Sequence, residues 1–291
     1  MVQWGRLITA MVTPFDENLD VNFDAAVSLA VKLVNEGNTA LVITGTTGEA
    51  PTLTDEEKTD LYKAVKKAVD VPVIAGVGTN STKSTIENIR KAQESGVDGL
   101  LAVTPYYNKP DQDSLYCHFK EVAASTDLPV MLYNVPGRTG CNLLPETVEK
   151  LAQIDNIAAL KEAGGNIVQF TDIIRRVPED FLVYSGDDSM LLPAMATGCY
   201  GIVSVASHIV SPEMKEMIDA FVSGNNEKAK EINLKLFNIF RDLFIVSNPV
   251  PVKSALNMTG VRAGGVRLPL TVAGEKVLNV LKEDLKELGK I

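Results

Sequence analysis

The sequence predicts a (β/α)8 TIM barrel with a C-terminal helical appendage, and three observations carry that expectation. Eight short apolar runs, many of them β-branched, recur along the chain. Continuous runs of this kind suit strands covered on both faces, as parallel sheets require. Between them lie amphipathic segments with readable helix ends, and the interval from run to run is about 30 residues, the size of a βα unit.

The runs are 7–12, 40–44, 71–75, 99–103, 129–133, 157–161, 181–185 and 201–205. After the first, Phe23, Val27, Ala30, Val31 and Val34 recur at helical spacing. Gly37 follows, where a helix ends on a left-handed residue. Thr54 and Glu57 form a capping box at the next helix. Gly96 falls just past a helix end and Pro145 at a first helical position. The stretch 189–212 contains no Asp, Glu, Lys or Arg, but Pro193, Gly198, Gly201, Ser204, Ser207 and His208 interrupt it. It therefore predicts a buried helix followed by a buried strand and no membrane span. From 208 to 290 the pattern is helical only, which divides the chain into a barrel, 1–207, and a helical region packed on it, 208–291. An open doubly wound sheet is the rival fold, because repeated βα units do not establish closure. Its dinucleotide version is disfavoured, since Gly76-Val77-Gly78 continues with Thr79, Asn80 and Ser81 and lacks a third glycine.

Composition narrows the function. The 291 residues include 28 Lys plus Arg against 37 Asp plus Glu, a net charge of −9 without a basic stripe, so nucleic-acid binding is not expected. With 45% hydrophobic and 22% charged residues, the chain is in the ordinary globular range. Cys117, Cys141 and Cys199 contain no C-x-x-C pair, which argues against disulfides or a thiolate metal site and for a reducing cytoplasm. The first six residues have no basic segment leading into an apolar one, so no signal peptide is expected. His118 and His208 are too few for a Ser-His-Asp triad or a histidine-rich metal site. Asp187-Asp188 fits helix capping better than a hard-cation site, and it disfavours a phosphate site after strands seven and eight.

In such a barrel the chemistry belongs to residues just past the strands. These are Gly45-Thr46-Thr47-Gly48-Glu49, Thr104-Pro105-Tyr106-Tyr107-Asn108, Tyr133-Asn134-Val135-Pro136-Gly137-Arg138 and Lys161-Glu162. Lys161 admits two readings. It is either a lysine snorkelling from a strand end or a carbonyl nucleophile. An ordinary lysine is only about one part in 2,500 neutral at pH 7, and desolvation would raise that fraction. Lys253 lies beyond the strand pattern and reads as structural. Tyr133, one strand from Lys161, is a proton carrier or core filler. The Gly45–Gly48 turn offers amides and hydroxyls to a carboxylate, unless it is only a tight turn. Arg138 could clamp a second carboxylate or stand solvated.

Together and in this order, the motifs resemble those of the dihydrodipicolinate synthase family, within the pyruvate-dependent class I aldolases, over essentially the whole chain. Arg138, the Tyr106-Tyr107 pair and the Asn-Val-Pro context set this resemblance apart from N-acetylneuraminate and 2-keto-3-deoxy sugar acid lyases, which remain the alternative. A binding barrel with an unreactive Lys161 is a third reading. The resemblance implies a lyase that condenses pyruvate with L-aspartate 4-semialdehyde to 4-hydroxy-tetrahydrodipicolinate in the diaminopimelate route to lysine. It implies Lys161 as Schiff-base residue, Tyr133 as proton donor and acceptor, and Thr46 and Tyr107 as proton relay, with Tyr107 supplied by a neighbouring subunit. Thr47 would hold the pyruvate carboxylate and Arg138 that of the semialdehyde, while Gly186 and Val203 line the pocket. The family often has isoleucine at the position of Val203. No metal or organic cofactor is implied, and the expected partner is a second copy of the chain, in at least a dimer and commonly a tetramer. Lysine-inhibited members carry two histidines and a glutamate where this chain has Asp55, Lys58 and Ser84, although Asn80 and Tyr106 are retained. Weak or absent lysine feedback is the expectation.

Overall fold

The computed structural model describes residues 2–291. Eight parallel strands close into a barrel in chain order: β1 (Leu7–Ala10), β2 (Ala40–Ile43), β3 (Val73–Gly76), β4 (Gly99–Val103), β5 (Val130–Asn134), β6 (Ile157–Glu162), β7 (Leu182–Ser185) and β8 (Gly201–Ser204). Ile8 opposite Val203 seals the last seam, which rules out the open sheet. The helices are α1 (Phe23–Asn35), α2 (Asp55–Ala68), α3 (Thr82–Glu94), α4 (Gln112–Ala124), one-turn α5 (Pro136–Thr139), α6 (Pro145–Leu151), α7 (Ile167–Arg176), α8 (Leu191–Ala196), α9 (Ser207–Val222), α10 (Asn226–Asp242), α11 (Val250–Met258) and α12 (Glu275–Glu287).

Local chemistry sets the helix ends. Thr54 Oγ1 accepts the Glu57 amide at 3.1 Å and Glu57 returns the bond to the Thr54 amide at 2.8 Å. Gly37 and Gly96 adopt φ of +99° and +79°, the left-handed region that glycine enters without a Cβ clash. Pro145 opens α6. The face of α1 differs from the sequence reading, because it buries Ala26, Leu29, Ala30 and Leu33 and leaves Val31 exposed. Asp24, Ser28 and Asn35, exposed at helical spacing, mark the solvent face, and Val31 falls on it among them.

Alternation along each strand makes two cores. Leu41 and Ile43 of β2 pack outward under the helices, whereas Val42 joins Ile8, Ile74, Leu101, Met131 and Tyr184 inside the barrel. Fully burying each such side chain is worth roughly 2 kcal/mol. The lower end is closed by Trp4, buried in the inner cluster, and by Tyr184, whose hydroxyl donates to the Gly5 carbonyl at 2.9 Å. Beside it the Arg6 guanidinium lies 4.2 Å over the Tyr200 ring.

Beyond β8, α9 packs against β1 and α1, α10 lies along α9, and α12 packs on α10 and α11. The helical pattern expected from 208 to 290 is broken at 243–249 and 259–274. Pro249 ends the first segment, while Gly260, Gly264, Gly265 and Pro269 punctuate the second. Both segments reach back to the barrel mouth through Asn248 and Arg267. Among the described residues no helix is long and apolar enough to cross a membrane.

Candidate active site

Parallel pairing puts Tyr133 of β5 directly beside Lys161 of β6. Both are buried, and Lys161 Nζ lies 4.4 Å from the centroid of the Tyr133 ring. Gly186 makes room for this lysine, since a Cβ there would come within 2.8 Å of Lys161 Cε. Lys161 has no hydrogen-bond or ion-pair partner among the described residues. It opens onto a cavity of about 270 Å³ whose lining includes Thr46, Thr47, Tyr133, Arg138 and Gly186. Burial pushes its ammonium down to about 8, with Arg138 pushing the same way and the Asp188 carboxylate opposing. Roughly one molecule in ten is then neutral at pH 7. Burial raises the Tyr133 phenol, against the pull of Arg138 and the Thr46 hydroxyl.

The turn after β2 is built to leave donors free. The amides of Gly48 and Ala50 return to the Gly45 carbonyl and that of Glu49 to Thr46, at 3.1, 3.3 and 3.1 Å. The Gly45, Thr46 and Thr47 amides find no partner among the described residues, so the anion-binding capacity expected of the whole turn narrows to these three. Thr44 and Glu49, at φ 56° and 54°, bracket the turn in the left-handed region. A buried ion pair anchors its far end: Lys253 Nζ lies 2.8 Å from Glu49 Oε1, donates to the Gly265 carbonyl at 2.6 Å and sits 3.9 Å from the Phe15 ring centroid. The other Glu49 oxygen accepts the Arg267 amide at 2.9 Å. Lys253 thus has the structural role read from its position, although neither the motif nor the spacing pointed to Glu49.

Asp187 and Asp188 divide the work assigned to them jointly. Asp187 caps by accepting the Ser189 amide at 2.9 Å. Asp188 is buried, accepts the Val205 and Ala206 amides at 3.2 and 3.0 Å together with the Ser204 hydroxyl, and is pushed up to about 6 by burial. His208 Nε2 accepts the Val12 amide at 3.1 Å and His118 Nδ1 pairs with the Thr82 hydroxyl at 2.9 Å. Among the described residues no group of three His, Cys, Asp or Glu side chains is arranged to hold a metal ion.

Thr46, Thr47, Tyr133, Arg138, Lys161 and Gly186 are therefore brought to one cavity. Val203, expected to line it, is not among them, and neither is Tyr107, which the resemblance assigns to a neighbouring subunit. Val203 is fully buried in the inner barrel cluster, and Val205, two residues along, lines the cavity in its stead. Tyr107 is 89% exposed with φ 77° and does not line its own chain's cavity. Sequence reasoning missed Asn248, which lines the cavity and donates to Thr47 Oγ1 at 2.8 Å. Its partner is 201 residues away, beyond the reach of any local signal. A second cavity of about 340 Å³ shares Thr46, Tyr133 and Arg138 and is bounded by Lys58 and Tyr106.

Residues 3–288 match the dihydrodipicolinate synthetase family. A 4-hydroxy-tetrahydrodipicolinate synthase of Moorella thermoacetica is 53% identical over 99% of this chain and 99% of its own. Among solved structures, a dihydrodipicolinate synthase from Bacillus anthracis is 49% identical, with a TM-score of 0.96 over 98% of this chain and 99% of that one. Another from Cyanidioschyzon merolae, with lysine bound, is 45% identical, with a TM-score of 0.98 over the whole of both chains.

Proposed function

We infer the working of the mouth from one premise: this chain belongs to the dihydrodipicolinate synthetase family. It catalyses the condensation of pyruvate with L-aspartate 4-semialdehyde to 4-hydroxy-tetrahydrodipicolinate, in the diaminopimelate route to lysine. The assignment of residues to steps is our reading. The observation that carries it is a buried, unpartnered Lys161 beside Tyr133, facing a cavity lined by the turn with its free amides and by Arg138.

The neutral Lys161 amine adds to the pyruvate carbonyl carbon, and the resulting carbinolamine loses its hydroxyl as water after Tyr133 delivers a proton. The iminium then gives up a methyl proton to become an enamine. Its carbon bonds to the aldehyde carbon, whose oxygen takes a proton. The amine of the semialdehyde finally adds to the imine carbon, closing the ring and releasing Lys161. Tyr133 exchanges protons through Thr46 and Tyr107 of the partner subunit. Thr47 and the free amides of the turn hold the pyruvate carboxylate and Arg138 that of the semialdehyde. The imine nitrogen is the electron sink, so no metal or organic cofactor enters. Gly186 keeps the space that the lysine and its adduct occupy, while Val203 supports the inner wall from below.

The exposure of Tyr107 supports a working unit of at least a dimer, and we extend this to a cytoplasmic homotetramer. Borohydride reduction in the presence of pyruvate, followed by peptide mapping, is expected to mark Lys161; an unmodified Lys161 overturns the assignment. A coupled assay offering sugar-acid aldehydes beside aspartate semialdehyde then tests the role of Arg138, which favours the latter. Feedback by lysine is expected to be weak or absent. Asp55 is held by Lys91 at 2.7 Å, Lys58 adds a cation to the second cavity, and Ser84 donates to Ser81 at 3.2 Å, leaving no acidic partner for an α-ammonium group. Turnover that falls clearly at sub-millimolar L-lysine would sink that part.

A further inference from the structure

Asn248 stands in the segment between α10 and α11, lines the reaction cavity and is only 6% exposed. Its Nδ2 donates to Thr47 Oγ1 at 2.8 Å, and its Oδ1 is buried without any hydrogen-bond partner. A buried bare acceptor is an expensive feature, found where a ligand or ordered water completes it. None of the other buried side-chain atoms left without partners, on His118, Glu213, Asn233 and Asp284, lines this cavity.

The orientation of the amide follows from Thr47. That hydroxyl has one hydrogen, and if the hydrogen points at the pyruvate carboxylate, its oxygen is free to accept. Asn248 then presents Nδ2 to Thr47 and is left with Oδ1 facing inward. The aldehyde substrate carries a carboxylate and an ammonium on one carbon. Arg138 has the charge and geometry for the first, and the second requires an acceptor. Asp187 also lines the cavity; its Oδ1 takes both the amide and the hydroxyl of Ser189 at 2.9 and 2.8 Å, which leaves its Oδ2 to supply charge beside the directional acceptor of Asn248.

We propose that Asn248 is a specificity-determining residue whose Oδ1 accepts a hydrogen bond from the substrate's α-ammonium group, so that the enzyme selects an amino aldehyde over one without the amine. The proposal rests on the reaction assigned above. It requires one side chain to serve both substrates, steadying the donor for the first and reading the amine of the second.

The test compares aspartate semialdehyde with succinate semialdehyde, which has the same chain and carboxylate but no amine. Both are measured at saturating pyruvate, the second as a competitive inhibition constant. Asn248→Ala is expected to lower kcat/KM for aspartate semialdehyde about 10- to 100-fold, the loss typical of a hydrogen bond to a charged group, while the constant for succinate semialdehyde stays within about threefold. Asn248→Asp keeps an acceptor and is expected to restore most of kcat/KM for the amino aldehyde. It should also raise the KM for pyruvate, because a carboxylate draws the Thr47 hydrogen to itself. Equal losses for the two aldehydes in Asn248→Ala, or an Asn248→Asp variant as poor as Asn248→Ala toward the amino aldehyde, overturn the proposal. Borohydride trapping of pyruvate on Lys161 reports the first half of the reaction separately. Unaltered protein that traps pyruvate yet turns over no aspartate semialdehyde overturns the reaction assignment, and this one with it.

Discussion

Lys161 and Lys253 are the two buried lysines among the described residues, and their surroundings begin alike. Each lies over an aromatic ring, at 4.4 Å for Tyr133 and 3.9 Å for Phe15, and burial lowers each to about 8. They part company at their partners. Lys253 meets a carboxylate and a carbonyl in a space with no opening, so its charge is matched and its proton has no task. Lys161 meets neither and faces a cavity. A depressed lysine is therefore not sufficient evidence of catalysis; the missing counter-group and the open space complete it.

The widest separation between the two should come from Lys161→Met. Turnover is expected to fall by about 10⁴-fold or more, since no other group can form the imine, while the thermal midpoint holds or rises with an unpaired buried cation removed. A melting loss in that variant would erase the distinction. Lys253→Met should do the reverse. It strands Glu49 without its partner and should cost about 3–5 kcal/mol in urea unfolding, and pairing it with Glu49→Gln should recover most of that loss.

A pH series sharpens the contrast further. Only the unprotonated amine attacks, so kcat/KM for pyruvate should rise with pH to a plateau above about 8. Between pH 8 and pH 6 it should fall roughly 50-fold. A limb that sits above pH 9.5 would mean that Lys161 is not desolvated. The smallest effect belongs to Asp188→Asn. That carboxylate favours the charged lysine and so opposes its desolvation, and its removal should move the limb to lower pH.

Strand order and most of the mouth were legible because their signals are local, whereas closure rests on the pairing of Ile8 with Val203, which repeated βα units do not establish. An apolar run of 4–6 residues followed by a polar one is visible without knowing its neighbours, and the Thr54–Glu57 cap spans a single turn. The face of α1 was misread at Val31, because the phase is carried by the polar positions Asp24, Ser28 and Asn35 and not by the apolar ones alone. Asn248 and the Glu49 partner of Lys253 were invisible for another reason, since 201 and 204 residues separate them from what they touch. Val203 shows a finer limit. Strand alternation places it inside the barrel, but not in which layer relative to the cavity floor.

The stacked Arg6–Tyr200 pair and buried Trp4 give the barrel a shut base, so Lys161 sits at the bottom of a blind well. Everything that moves during turnover shares the one opening: the keto acid going in, the water expelled on condensation, the aldehyde and the finished ring. A molecule that must bond to the deepest group has to enter before the one that will lie above it. The order of arrival is thus imposed by the shape of the passage, and an excess of the late-coming aldehyde should obstruct the early-coming acid.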